Sequence, residues 1–300
     1  MEIRKYFRMA IVLIALVAAL AASGCGAGQQ VPAAKTANAD GGLVVKILDV
    51  GQGDSILIRA GGQVTLIDTG DIAAREKLTM YIKKEGISVI DKLILTHPHN
   101  DHIGGVAAIF DNFTVKQIYD SGQTTTTATF RRYLETVEKK KIPFALLAAD
   151  GQVDLGQGAM LKILAPAKPF FTEDNGSLDL NNNAIVAKLV YGSFTMLFAS
   201  DAEKQSEEQM VKKYGTELKS SVIKVGHHGS NTSSSAAFLK AVAPEAAVIT
   251  VGANNDYHHP HPSIVKRYEE RKTKIYRSDL NGTLTISSDG KTWTISKEKG

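Results

Sequence analysis

One cysteine, Cys25, is all the thiol chemistry in this 300-residue chain. Internal disulfides are excluded, and so is a metal site built on thiolates. Long apolar runs are as scarce: Met9 to Ala22 is the one stretch of that kind, and it is short for a full membrane span. Charge of one sign is also lacking. The formal net charge is +4, and Arg4, Lys5 and Arg8 against Glu2 account for half of it. What remains is too weak to argue for a nucleic-acid partner by itself. There is no long-period repeat and no linker-like break after Gly42, so residues 43–300 read as one domain. Hydrophobic residues make up 43% of the sequence, enough for a sizeable core.

The first 24 residues stand apart. A basic start precedes the apolar run, and Ala22-Ser23-Gly24-Cys25 is a small-residue cleavage site ending in cysteine. This resembles a bacterial lipoprotein signal, which implies that Cys25 becomes the lipidated first residue of an extracytoplasmic, membrane-anchored protein. Ala22 stands where such signals usually carry Leu. Residues 25–42, rich in Gly, Ala and Gln, read as a flexible tether.

Apolar runs and turn residues divide the rest. Leu43 to Val50, Ser55 to Arg59 and Val64 to Asp68 read as strands separated by the Gly-rich turns Gly51-Gln52-Gly53 and Gly61-Gly62. Helical periodicity is expected from about Ala73 to Glu85, Gly105 to Asn112, Thr129 to Lys141, Ala202 to Tyr214, Ser234 to Val242 and Ser263 to Arg271. Further strands are expected at Leu93–Leu95, Met160–Ala165, Ala184–Val190, Phe194–Ala199, Ser221–Val225, Ala247–Val251 and Lys274–Arg277. Gly282–Ile286 and Thr292–Ile295 look like a closing hairpin. Strands in groups with helices between them suggest an α/β fold of sheets covered by helices.

Thr96-His97-Pro98-His99-Asn100-Asp101-His102-Ile103-Gly104-Gly105 follows the apolar run Leu93-Ile94-Leu95. Three histidines and an aspartate within six positions make poor core material and good metal-ligand material. In extended backbone His97 and His99 point the same way, and neutral imidazole suits zinc and similar ions. Asp101 and His102 come where the chain must turn, placed to face a second ion. Gly104-Gly105 lets backbone pass close to a helix start or a ligand. A solvated loop would account for one histidine, but not for four potential ligands at a strand end. The pattern HxHxDH followed by Gly-Gly resembles the signature of the metallo-β-lactamase superfamily. That resemblance implies a four-layer αββα sandwich with metals at one edge of its two sheets.

Other stretches extend the resemblance to the ComEC-like group. Leu48-Asp49-Val50-Gly51-Gln52-Gly53-Asp54-Ser55 is similar to that group's opening strand and turn. Asp68, in Leu66-Ile67-Asp68-Thr69-Gly70, matches the Asp that lies beneath the metal loop and orients it. Asp201, in Phe198-Ala199-Ser200-Asp201-Ala202, matches the Asp that bridges two metals, although as a plain helix cap it would need no metal. Val225-Gly226-His227-His228-Gly229-Ser230 resembles the HHGS element. There His227 is the preferred metal ligand and His228 the group that orients a phosphate or supplies a proton, with the reverse assignment open. Asn254 to Pro262 is similar to the run N-x-Y-x-H-P-H-P, giving His259 and His261 site-lining or leaving-group roles, with His258 where Gly is more usual. No histidine lies between His102 and Asp201, so the usual third histidine of the first metal site is missing, and Asn181-Asn182-Asn183 occupies roughly that region.

The resemblance implies metal-assisted hydrolysis with one or two divalent ions, Zn2+ or Mn2+. Bound water is acidified, the scissile group polarised, and Asp101 ligates and orients the nucleophilic hydroxide. Phosphodiester hydrolysis ranks first, with DNA as the leading substrate. Another extracytoplasmic ester, such as a phosphocholine ester of wall polymers, comes second, and the missing histidine puts β-lactams low. A metal- or DNA-binding lipoprotein without turnover is the reading from a different class.

Overall fold

The computed structural model describes residues 42–300. The expected signal over 1–24, the lipidation site Cys25 and all of the tether but Gly42 lie outside the described residues. Among those described, no helix is long and apolar enough to cross a membrane.

Two sheets form the centre. Across the first, strand order is Trp293–Lys297, Leu284–Ser288, Leu43–Ile47, Ile56–Ala60, Gln63–Ile67, Lys92–Leu95, Ile118–Asp120 and Phe144–Leu146. Across the second it is Lys274–Arg277, Ala246–Ile249, Val222–Lys224, Phe194–Phe198, Val186–Tyr191, Ala159–Ala165 and Gln152–Gly156. Alternation along each strand decides what lies between them. Val45, Ile47, Ile56 and Ile94 from the first sheet meet Leu161, Leu189, Met196, Val222 and Val248 from the second in one buried core. The opposite face of the first sheet packs Leu66, Leu93 and Leu95 against Leu78, Ile82, Ile109, Phe110 and Tyr133 of the helices Arg75–Lys84, Val106–Asn112 and Ala128–Lys140. The far face of the second packs Leu197, Ile223 and Ala247 against Met210, Phe238, Leu239, Ile264 and Tyr268. These come from helices Lys204–Tyr214, Ala236–Val242 and Pro262–Glu269. Three cores separate four layers, helix, sheet, sheet and helix.

In the first sheet Gln63–Ile67, Lys92–Leu95 and Ile118–Asp120 run parallel, and in the second Phe194–Phe198, Val222–Lys224, Ala246–Ile249 and Lys274–Arg277 do. The loops leaving the carboxyl ends of both sets carry every histidine of the chain.

Several elements differ from the sequence expectation. The strand from Leu43 stops at Ile47, because the next residues turn and Leu48 N donates to Ser55 O (3.0 Å). The helix expected from Ala202 begins at Lys204 instead, since Ser200 takes a left-handed φ of +48° and Asp201 sits in the turn it makes. Strands Ile118–Asp120, Phe144–Leu146 and Gln152–Gly156 were not expected. The first two are three residues long, too short to display a period.

Candidate metal centre

Thr96 and Lys224 fall on the inward faces of their strands, in step with Ile94 and Val222, and so continue the inter-sheet core to its end. At that end the core changes from apolar to ionisable. Asp101, His102, Asp201 and His228 each offer a ligand atom, all within 4.8 Å of one another. Two come from the loop after Lys92–Leu95 in the first sheet, one from the turn after Phe194–Phe198 and one from the loop after Val222–Lys224 in the second.

Each ligand is held by an outer partner. Asp68 lies under the metal loop and accepts from Thr96 N (2.8 Å), Thr96 Oγ1 (2.7 Å) and His102 Nδ1 (2.8 Å). With Nδ1 committed to Asp68, His102 turns Nε2 toward Asp201 Oδ1 (3.3 Å) and Asp101 Oδ2 (3.6 Å). His228 Nδ1 lies 2.9 Å from the Thr250 carbonyl, which can only accept, so His228 faces Asp101 Oδ2 (3.2 Å) and Asp201 Oδ2 (3.6 Å) through Nε2. Thr96 Oγ1 takes a bond from Ser200 Oγ (2.8 Å) while donating to Asp68, leaving it an acceptor for His97 Nδ1 (3.2 Å). Thr250 Oγ1 donates to Asp54 Oδ1 (2.5 Å), and Asp54 Oδ2 meets the Lys224 ammonium.

The backbone is forced to serve this arrangement. Asp68, Ser200, His227 and His228 all have left-handed φ, an unfavourable state for non-glycine residues, worth about 1–2 kcal/mol each. Gly53 lies so close to the metal loop that a Cβ there would fall 2.3 Å from the Asp101 carbonyl oxygen. Its neighbour Asp54 donates N–H to that same carbonyl (3.1 Å).

The electrostatics are those of a cation site. Burial works against ionising Asp101 and Asp201, but His102 and His228 outweigh it and hold both carboxyls below their ordinary values. Burial likewise lowers His102 and His228, and the carboxylates, Asp201 foremost, overcome it and raise both. Burial, reinforced by His102, holds His97 well below the usual histidine value, and burial also lowers His99. His102 Nε2 and Asp201 Oδ1 are buried, adjacent, and have no hydrogen-bond partner. Two orphaned atoms of a nitrogen–oxygen donor set facing one another fit a divalent ion. Beside the cluster, His97 Nε2 lies 3.9 Å from Asp201 Oδ2 and 3.0 Å from His99 Nδ1, a donor-poor place for a second ion.

Residues 48–252 match the family model for the metallo-beta-lactamase superfamily. The chain belongs to that superfamily. Competence protein ComA of Neisseria gonorrhoeae is 33% identical over 80% of this chain and 31% of its own length. ComE operon protein 3 of Bacillus subtilis is 28% identical over 84% of this chain and 34% of its own length. These relatives put the chain in the ComEC-like subgroup, and it spans about a third of their length. The metallo-beta-lactamase fold protein YhfI of Bacillus subtilis superposes with a TM-score of 0.56 at 14% identity, covering 82% of this chain and 100% of YhfI. That likeness is one of fold.

Within this superfamily frame, three residues sit otherwise than their sequence context suggested. His228, not His227, lies in the four-ligand cluster: it is buried, whereas His227 is partly exposed, with Nδ1 2.9 Å from Glu203 Oε1 and Nε2 3.8 Å from Asp201 Oδ2. Asn183 does not stand in for the missing histidine. Its amide donates to the Phe171 and Asp179 carbonyls and accepts from Phe171 N, so it braces the preceding loop. His261 caps helix Pro262–Glu269 by accepting from Ser263 N (3.3 Å) at Nδ1, and it is not among the four clustered ligands. His259 packs edge-on against His227, with ring centroids 5.7 Å apart. Lys224 and Glu203 were missed altogether. A lysine inside the apolar run Ser221–Val225 was the available signal, since such a residue is almost never buried without a partner.

Proposed function

We propose that the chain is a metal-dependent phosphodiesterase acting on DNA outside the cytoplasm, held to the membrane by lipid on Cys25. The carrying observation is the four-residue cluster, in which Asp201, His102 and His228 are sealed from solvent while the Asp101 side chain keeps 30% of its surface exposed. A closed set of donors with one open side suits a site that must admit substrate. The name of one relative, Competence protein ComA, favours nucleic acid over other esters.

Asp101, His102, Asp201 and His228 would hold a Zn2+ or Mn2+ ion, with His97 and His99 beside Asp201 for a second. Such an ion polarises a phosphoryl oxygen and acidifies water. The rest falls to the protein. Asp101, on the open side, accepts a hydrogen bond from the attacking water and aligns it. Asp68, Thr250 and Asp54 fix the histidine rings so that no reorganisation is needed when charge develops on the phosphate. His227, its Nδ1 held by Glu203, presents its Nε2 at the mouth beside Asp201, facing the side on which substrate enters.

The test uses the purified chain, loaded with zinc or manganese, on end-labelled single- and double-stranded DNA and on bis-p-nitrophenyl phosphate, beside Asp101→Ala. Metal-dependent cleavage of DNA, lost in the variant, is the expected result. Cleavage of the small diester alone overturns DNA as substrate, and inertness toward both overturns hydrolysis.

A further inference from the structure

The loop Gly252 to Pro262 ends at the metal centre through His259, yet its tip faces outward. Asn255 staples that loop: its Nδ2 donates to the Gly252 (3.0 Å) and His259 (2.7 Å) carbonyls, and its Oδ1 accepts from His259 N (3.0 Å). His258 N adds a bond to Asn255 O (3.2 Å). Residues 256–258 are thereby fixed, and they hold up Tyr257, which at 68% is the most exposed large hydrophobic side chain among the described residues. The Tyr257 ring stacks on His259 (centroids 5.6 Å, 24° apart), and His259 meets His227 edge-on at 5.7 Å. His227 Nε2 is 3.8 Å from Asp201. An unbroken run of three rings thus leads from the buried ligands to an exposed aromatic face.

Exposing a tyrosine ring on a loop stapled by a dedicated asparagine brings no gain in folding, because the apolar face stays wet. The arrangement makes sense as a surface to be covered by another flat ring. We infer that Tyr257, backed by His259, is a stacking platform for an unpaired nucleobase one or two nucleotides from the scissile phosphate. This inference rests on the phosphodiesterase reading and narrows it. Bases in a duplex already stack on each other, so the platform selects single strands and frayed ends. It tolerates any sequence, because every base has a face to offer.

The experiment compares the full chain in detergent, loaded with manganese, with Tyr257→Ala and Tyr257→Trp. Substrates are a single-stranded oligonucleotide, its duplex, and the same strand with abasic sites throughout. Tyr257 packs on the surface, so its replacement leaves folding intact. On the normal strand Tyr257→Ala is expected to lose roughly 5- to 100-fold in kcat/KM, and Tyr257→Trp to keep the wild-type value. On the abasic strand the wild type should fall to the rate of Tyr257→Ala. An equal loss for Tyr257→Ala on both strands, or no loss on either, overturns the platform. Strand binding is measured separately by fluorescence anisotropy in an Asp101→Ala background. Weaker binding with Tyr257→Ala supports stacking even if DNA is never cut, and unchanged binding overturns it whether or not the hydrolase reading holds.

Discussion

Lys224 Nζ lies 2.5 Å from Asp54 Oδ2, and neither side chain reaches solvent. The pair ties the turn after Leu43–Ile47 in the first sheet to strand Val222–Lys224 in the second. Its ammonium also donates to Ser200 O (3.0 Å), the carbonyl just before Asp201, and Asp54 anchors Thr250, whose carbonyl orients His228. One buried cation therefore braces both ligands that the second sheet supplies.

Removing that cation alone should leave a buried carboxylate without its counter-charge, held only by Thr250 Oγ1. Lys224→Met is expected to destabilise the metal-free protein by about 3–5 kcal/mol. The double variant Asp54→Asn/Lys224→Met should recover most of the loss. Urea unfolding of the three proteins measures this, and equal losses in the single and double variants would refute the pairing as the cause.

The placement of the two adjacent histidines predicts a split in metal affinity. His228→Ala should weaken zinc binding by well over ~100-fold, and His227→Ala by about tenfold, the low end for an outer contact. Competition with a chromophoric chelator reads both. The opposite order would return the ligand's place to His227.

Asp120 carries a pH dependence separate from the metal. It is buried, accepts from Tyr133 Oη (3.0 Å) and Gly122 N (2.7 Å), and burial pushes its carboxyl from 3.8 to about 6. The folded protein therefore holds this proton more tightly than the unfolded chain does. Its contribution is neutral below pH 3.8 and turns unfavourable as pH rises toward 6, levelling at roughly 3 kcal/mol. Asparagine can keep both hydrogen bonds without the charge. In EDTA, Asp120→Asn should match the wild type near pH 4 and exceed its stability progressively up to pH 7. A difference that stays flat across that range excludes the explanation.

The sandwich was legible because its strands are apolar runs bounded by glycine, and the metal loop because four donors crowd a strand end. The residues that escaped did so for physical reasons. Lys224 looks like an ordinary strand position until the partner 170 residues earlier is brought beside it. Which of two adjacent histidines turns inward depends on the left-handed backbone at both, which no side-chain pattern records. Asn183 and His261 sit in the right loops but satisfy local backbone, a competition that asparagine and cap residues often win. His258 adopts φ +55°, a left-handed conformation that glycine takes freely, so a side chain is carried here on glycine-like backbone.

The first strand, Leu43–Ile47, lies between Ile56–Ala60 and Leu284–Ser288. One of its neighbours in the sheet is thus made directly after it, and the other only after residue 284. Until the last hairpin emerges, Leu43–Ile47 presents an unpaired edge, and the turn that carries Asp54 hangs from a half-finished sheet. Every ligand is already translated by residue 228, yet the turn carrying Asp54 is braced on both sides only once Leu284–Ser288 has joined the sheet.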